Sequence, residues 1–417
     1  MEKIIIEGGE RLKGEVRISG AKNSALPLMA SALLAEGVCT IKNVPKLRDV
    51  NTFVDLLKYI GVKVSRDKEE ELEFDATSIN CYEAPYNHVK TMRASVLVLG
   101  PLIARFGKAK VSLPGGCAIG ARPINLHLKG LEALGAKVSI EHGYVIAKAR
   151  RLKGGNIYFD IPTVTGTENL MMAASLASGN TIIENAACEP EVSELAHVLR
   201  KMGAKISGDG TERIEIEGVD KLNPFEHIIM PDRIETGTFM LAAGITRGNI
   251  TISNCVPAHS QTLILKLRET GIEVIEGDSW VRVISPEEIR ATDVKTSPYP
   301  GFPTDMQAQF MALMCLSKGL SVITENVFEN RFMHVSELLR MGTDIKIDGR
   351  SAIVRGVPFL SGAPVMATDL RASASLILAG LAARGETTVS RIYHIDRGYE
   401  RIEEKLQKLG AKIKRVK

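Results

Sequence analysis

Six copies of one phrase run the length of this 417-residue chain, and they constrain its fold more than any other feature. The phrase is a helix end, an apolar residue, a glycine, a small or polar residue and a strand. It reads Tyr59-Ile60-Gly61-Val62-Lys63-Val64, Ala133-Leu134-Gly135-Ala136-Lys137-Val138, Lys201-Met202-Gly203-Ala204-Lys205-Ile206, Glu269-Thr270-Gly271-Ile272-Glu273-Val274, Arg340-Met341-Gly342-Thr343-Asp344-Ile345 and Lys408-Leu409-Gly410-Ala411-Lys412-Ile413. The glycines are 74, 68, 68, 71 and 68 residues apart, a series that chance does not produce.

An earlier glycine opens a β-branched run in every unit: Gly37 before Val38 to Ile41, Gly107 before Val111, Gly179 before Thr181 to Ile183, Gly248 before Ile250 to Ile252, Gly319 before Val322 and Gly385 before Thr387 to Val389. These runs predict strands. The Ala- and Leu-rich segments ahead of them, such as Ala25 to Leu34, Met171 to Ala177, Gln307 to Leu316 and Ala372 to Ala382, predict helices. Glycine just past a helix is a C-cap signal, so each unit reads helix, strand, helix, then one or two strands. The fold class is therefore α/β, with first helices apolar nearly all round, as buried helices are. Six units could close one ring or form two globules of three, and domain size favours two.

Charge and cysteine usage narrow the partners. The net charge is +4, the basic residues are scattered, and aromatics make up only 5%, which argues against nucleic acid and leaves room for a local cationic site for a small anion. Six cysteines (Cys39, Cys81, Cys117, Cys188, Cys255, Cys315) form no C-x-x-C or zinc spacing and fit reduced thiols. The first residues read as a strand rather than a signal peptide, and the apolar runs fall short of the ~20 residues of a membrane span, so the expectation is a cytoplasmic protein.

The repeat also places polar residues. Thirteen residues before each second glycine stand Arg48, Arg122, Pro190, Ala258, Glu329 and Arg397, with Arg331 two places beyond Glu329. Four arginines in equivalent loops could serve one anion, although solvated surface arginines would look the same. Arg122 ends the segment Leu113-Pro114-Gly115-Gly116-Cys117-Ala118-Ile119-Gly120-Ala121-Arg122-Pro123. There the thiol lies five residues before a cation that lowers thiol pKa, among glycines that let a loop move. Between its two marker glycines this unit spans 28 residues against 23 to 25 elsewhere, so the loop is an insertion that leaves Arg122 in register.

At the starts of first helices stand Thr304-Asp305, Thr368-Asp369, Thr167-Glu168 and Glu235-Thr236, which read as N-terminal caps with a charge matched to the helix dipole. By that logic Asp305 has a lowered pKa and is a weak base. Lys22, with Asn23 at the start of the first helix, and Arg371, at the third helical position of the last unit, oppose the dipole, and that cost suggests use.

These residues carry a resemblance. Ser19-Gly20-Ala21-Lys22-Asn23, Lys90-Thr91-Met92-Arg93-Ala94-Ser95, the Cys117 loop, Pro231-Asp232-Arg233-Ile234-Glu235-Thr236-Gly237, Phe302-Pro303-Thr304-Asp305-Met306-Gln307, Glu325-Asn326 with Phe328-Glu329-Asn330-Arg331-Phe332, and Asp369-Leu370-Arg371-Ala372 with His394-Ile395-Asp396-Arg397-Gly398 resemble the enolpyruvyl transferase family over the whole chain, in its branch acting on UDP-N-acetylglucosamine. The resemblance implies a two-domain inside-out α/β barrel of six βαβαββ-like repeats, three per domain. One domain would be 22–231 and the other 1–21 plus 232–417, with the active site in the cleft. It implies transfer of the enolpyruvyl group of phosphoenolpyruvate to the sugar 3-hydroxyl, with release of phosphate through a tetrahedral intermediate, as the first committed step of peptidoglycan synthesis. No metal or organic cofactor is expected.

The resemblance assigns Cys117, Asp305, Lys22, Arg397 and Asp369 to catalysis. It assigns Lys22, Asn23, Arg93, Arg122, Arg331, Arg371 and Arg397 to phosphoenolpyruvate. The nucleotide sugar would meet Asn23, Arg93, Arg122, Pro123, Ile124, Asn125, Leu126, Thr163, Val164, Gly166, Thr304, Asp305 and Val327. Three positions depart from the family pattern: Arg48 where lysine is usual, Asn125 for a common aspartate, and Thr163-Val164-Thr165-Gly166 for Ser-Val-Gly-Ala. A shikimate-phosphate enolpyruvyl transferase shares the chemistry, and a non-enzymatic repeat scaffold would leave the arginine register as decoration.

Overall fold

The computed structural model describes residues 2–68, 70–113 and 124–417. They divide into two compact units, 2–19 with 231–417 and 20–113 with 124–230, so the chain passes between units after Ser19 and after Met230. Each unit has its own apolar core.

Among the described residues, six four-stranded sheets share one pairing scheme. In the sheet around Asn180–Glu184, that strand runs parallel to Asn156–Tyr158 on one side and antiparallel to Arg213–Glu217 on the other, and Lys205–Ser207 closes the far edge as a hairpin arm. Alternate residues point inward, as Ile214 and Ile216 do in Arg213–Glu217, which is the period expected of a sheet with one solvated face. Strand Glu226–Ile228 returns to pair with Val38–Lys42 in the unit 20–230. The two N-terminal strands belong to the other unit: Lys3–Glu7 lies between Glu386–Ser390 and Lys412–Val416, and Lys13–Arg17 lies beside Asn249–Ser253.

The first helices are buried along nearly their whole length, as their apolar sequences predict. In one unit Arg233–Ile245, Gln307–Met314 and Leu370–Ala382 pack on one another. In the other, Val164–Ala174 packs against both Lys22–Ser31 and Leu99–Phe106. The second helices are amphipathic. Arg48–Ile60 buries Val50, Phe53, Leu56, Leu57 and Ile60 and ends at Gly61, whose φ of +109° needs the missing Cβ. The fourth unit departs from the glycine pattern, because Arg247 rather than Gly248 takes the left-handed conformation there. Among the described residues no helix is long and apolar enough to cross a membrane, and no cluster of His, Cys, Asp and Glu could hold a metal ion.

Candidate active site

In the unit 2–19 with 231–417, Pro303 leads into a 3-10 turn, Thr304–Met306, that aims the Asp305 carboxylate at two arginines. Arg331 Nη2 donates to Oδ1 at 2.7 Å and Arg371 Nη2 donates to Oδ2 at 2.8 Å. The two guanidinium side chains are 5% and 6% exposed, whereas Asp305 keeps 28% of its surface open. Burial pushes the carboxyl pKa up, but the charges and hydrogen bonds of Arg371 and Arg331 outweigh it and hold Asp305 well below its ordinary 3.8. Burial works against the Arg371 cation, and the attraction of Asp305 reverses that too. The result is an ionised carboxylate with an open edge, fixed between two buried cations.

Packing behind Arg371 keeps it there. Asp369 caps the helix Leu370–Ala382 by accepting from the N–H groups of Arg371 at 2.8 Å and Ala372 at 3.0 Å. The Tyr399 ring lies 5.5 Å from the Arg371 guanidinium, and its hydroxyl meets Thr238 Oγ1 at 2.8 Å and Gln309 Nε2 at 3.3 Å. Gln309 Nε2 also donates to the Asp305 carbonyl at 3.0 Å. His334, buried near Asp369 and Arg331, is pushed down to about 4 chiefly by burial, so it remains neutral there.

The unit 20–230 holds the second set. Lys22 is the first residue of Lys22–Ser31, a helix with no acid in its first turn. Its counter-charge comes from the first turn of Arg48–Ile60, where Asp49 Oδ2 lies 3.3 Å from Lys22 Nζ and both side chains are largely buried. Asn23 follows on the same helix, half-buried. Arg93 opens the 3-10 stretch Arg93–Val98, and its charge, after burial, helps push His127 down to about 4.

His127 is 3% exposed. Gly100 N–H donates to Asn169 Oδ1 at 2.7 Å, so the Asn169 amide nitrogen must donate to His127 Nδ1 at 3.0 Å. The ring proton therefore sits on Nε2, which faces Thr165 Oγ1 at 3.4 Å. Glu168 is also buried, and burial together with Glu191 and Glu189 raises its pKa well above the ordinary 4.5.

Several of the remaining expected residues fall at element starts. Ile124 precedes and Asn125 opens Asn125–Ala133, with Leu126 buried behind them. Thr163 caps Val164–Ala174 by accepting from Gly166 N–H at 3.3 Å, which places Val164 and Gly166 in the first turn. The Thr304 hydroxyl lies between Glu325 and Arg331, the Val327 N–H donates to Glu325, and Arg397 ends the 3-10 stretch Ile392–Arg397. Cys117, Arg122 and Pro123 lie outside the described residues.

Three of the four expected caps are corrected. Thr167-Glu168 and Glu235-Thr236 fall inside their helices, which start after Thr163 and Asp232, because a cap needs a side chain outside the helix that can accept from the first-turn N–H groups. The Asp305 carboxylate caps nothing, since two guanidinium groups take it. Asp369 does cap, and Arg371 is the second helical residue rather than the third. The sequence pattern assigns no role to Asp49, His127, Asn169, Glu325 or Tyr399. A polar residue inside an otherwise apolar helix was the available signal for Asn169, and an acid beside the registered Arg48 was the signal for Asp49.

The family model described as EPSP synthase (3-phosphoshikimate 1-carboxyvinyltransferase) matches residues 6–406. Curated proteins named UDP-N-acetylglucosamine 1-carboxyvinyltransferase from Geobacter metallireducens and Desulfosudis oleivorans are 63% and 60% identical over 417 and 416 residues, with all of both chains covered. Among solved structures, the enolpyruvyl transferase NikO from Streptomyces tendae is similar with a TM-score of 0.88 and 27% identity over 100% of this chain and 99% of that one. An EPSP synthase from Acinetobacter baumannii shares the fold at a TM-score of 0.77 and 18% identity, over all of both chains.

Proposed function

This chain belongs to the EPSP synthase (3-phosphoshikimate 1-carboxyvinyltransferase) family of enolpyruvyl transferases, and from that premise we infer that it transfers the enolpyruvyl group of phosphoenolpyruvate to UDP-N-acetylglucosamine in peptidoglycan synthesis. The observation that carries the acceptor is identity of about 60% over the full length of relatives named for that reaction. The finer fold reading is a pair of inside-out α/β barrels of three repeats each, supported by the common sheet scheme and the buried first helices.

In the chemistry we propose, an acid protonates the phosphoenolpyruvate methylene, the sugar 3-hydroxyl adds to the neighbouring carbon, and that hydroxyl gives up its proton. Loss of a proton from the new methyl group and departure of phosphate then restore the double bond. Cys117 is the proposed acid. Asp305 is the proposed base, and its low pKa suits a step in which the hydroxyl becomes acidic as its oxygen bonds to an oxocarbenium-like carbon. The open edge of the carboxylate and its rigid hold between Arg331 and Arg371 support that role.

Lys22, Arg122 and Arg397 are assigned to the phosphate and carboxylate, with Arg93, Arg331 and Arg371 completing the cationic surroundings and Asp369 lining the site as a catalytic residue. Asn23, Ile124 to Leu126, Thr163, Val164, Gly166, Thr304 and Val327 are assigned to the nucleotide sugar, together with Arg93, Arg122, Pro123 and Asp305. A phosphate-release assay with each acceptor tests the reading. Turnover with UDP-N-acetylglucosamine and none with shikimate 3-phosphate is expected, and the reverse would sink it.

A further inference from the structure

Glu325 has no part in the roles above, yet it is 1% exposed and both of its carboxylate oxygens accept hydrogen bonds. Oε1 accepts from Thr296 Oγ1 at 2.8 Å and from the N–H groups of Val327 at 2.8 Å and Phe328 at 3.1 Å. Oε2 accepts from Thr304 Oγ1 at 2.8 Å. A carboxylate only accepts, so the single hydroxyl proton of Thr304 is committed to Glu325. The Thr304 oxygen is thereby left as an acceptor, and Arg331 Nη1 donates to it at 3.0 Å. The other nitrogen of the same planar guanidinium reaches Asp305 Oδ1 at 2.7 Å. Each link in this series has one allowed direction, and rotating any member breaks the next.

We propose that Glu325 is a positioning residue for the transfer reaction: through the Thr304 hydroxyl and the Arg331 guanidinium it sets where the Asp305 carboxylate is held. The proposal rests on Asp305 receiving the hydroxyl proton. Glu325→Gln separates this role from loop scaffolding, because the amide oxygen can keep the three donors on Oε1 while the amide nitrogen presents a donor where Oε2 accepted from Thr304. Its kcat should fall by about tenfold or more, the scale of one hydrogen bond to a charged group, while KM for both substrates stays within about twofold. Because the effect runs through Thr304, the double variant with Thr304→Val should be no slower than Thr304→Val alone. Thr304→Ser, which keeps the hydroxyl, should recover most of what Thr304→Val loses, and this pair serves if Glu325→Gln does not fold.

Thr296→Val removes one donor to Glu325 and leaves the relay intact. It should lower the melting temperature with kcat within about twofold of wild type. Wild-type kcat in Glu325→Gln, additive losses in the double variant, equal losses in Thr304→Ser and Thr304→Val, or a matching kcat loss in Thr296→Val would each overturn the proposal. Asp305→Ala in the same assay distinguishes the failures. If Asp305→Ala is inactive while Glu325→Gln is normal, only the relay is wrong; if Asp305→Ala turns over normally, the assignment of the base falls and the relay with it.

Discussion

Replacing Arg371 with leucine removes one of the two cations that hold Asp305, and the structure sets the size of the effect. At an effective dielectric near 20, opposite unit charges ~4 Å apart attract by ~4 kcal/mol. Roughly half of that returns, because Arg371 no longer has to be desolvated and no longer repels Arg331 across the shared carboxylate. Asp305 keeps Arg331 at 2.7 Å and its open edge, so no bare buried charge remains. The net loss is about 2 kcal/mol, which for a unit of this size corresponds to a midpoint about 4–8 °C lower, read by scanning calorimetry on the transition of the unit that contains Arg371.

The pH dependence of that loss has a definite sign. The folded pKa of Asp305 lies below its ordinary 3.8, so the stabilisation is complete above the unfolded value and disappears as pH falls through the folded one. The gap between wild type and variant should stay constant from about pH 8 to about pH 5 and narrow only below about pH 4. Equal midpoints at neutral pH, or a gap that widens toward acid, would refute the picture of an ionised carboxylate between two cations.

Three further outcomes follow from other parts of the molecule. His127 is lowered from 6.5 to about 4, so the unfolded chain binds a proton that the folded one refuses, and stability falls as pH drops between those values by up to ~3 kcal/mol. His127→Gln should remove that share of the acid sensitivity in urea titrations run from neutral pH to about pH 4.5, and an unchanged slope would assign it elsewhere. A Cβ on Gly100 would lie 2.3 Å from the Asn169 carbonyl oxygen and 2.4 Å from its Oδ1, so Gly100→Ala should cost about 2 kcal/mol in chemical denaturation; wild-type stability would mean that this contact is soft. Cys117→Ser should lose most activity near neutral pH while Cys117→Asp keeps part, since a carboxylic acid can deliver the same proton, and an epoxide phosphonate such as fosfomycin should add to Cys117 by mass spectrometry. Equal rates for wild type and the serine variant would remove the acid role.

The architecture was legible in the sequence because its signals are local. Gly61 and its counterparts mark helix ends wherever the backbone turns left-handed, and the β-branched runs after Gly37 or Gly179 alternate in a way that only a half-buried strand accommodates. The partners of Asp305 were not legible in that way. Arg331 and Arg371 lie 26 and 66 residues from it, and the repeat specifies which loops are equivalent without specifying where a side chain in one loop points. The cap expectation failed for the same reason: Thr next to an acid favours a helix start, but two guanidinium groups compete for the Asp305 carboxylate more strongly than backbone N–H groups do.

What did carry over was the anomaly. Lys22 and Arg371 are cations placed in first turns where the helix dipole disfavours them, and each proves to face an acid contributed by a different element, Asp49 or Asp305. When a helix is buried along nearly its whole length, its first turn is where charged side chains can gather, and a residue there that opposes local preference must be answered from elsewhere in the fold. The search for function in such a chain therefore begins with the residues that its own secondary structure would not have chosen.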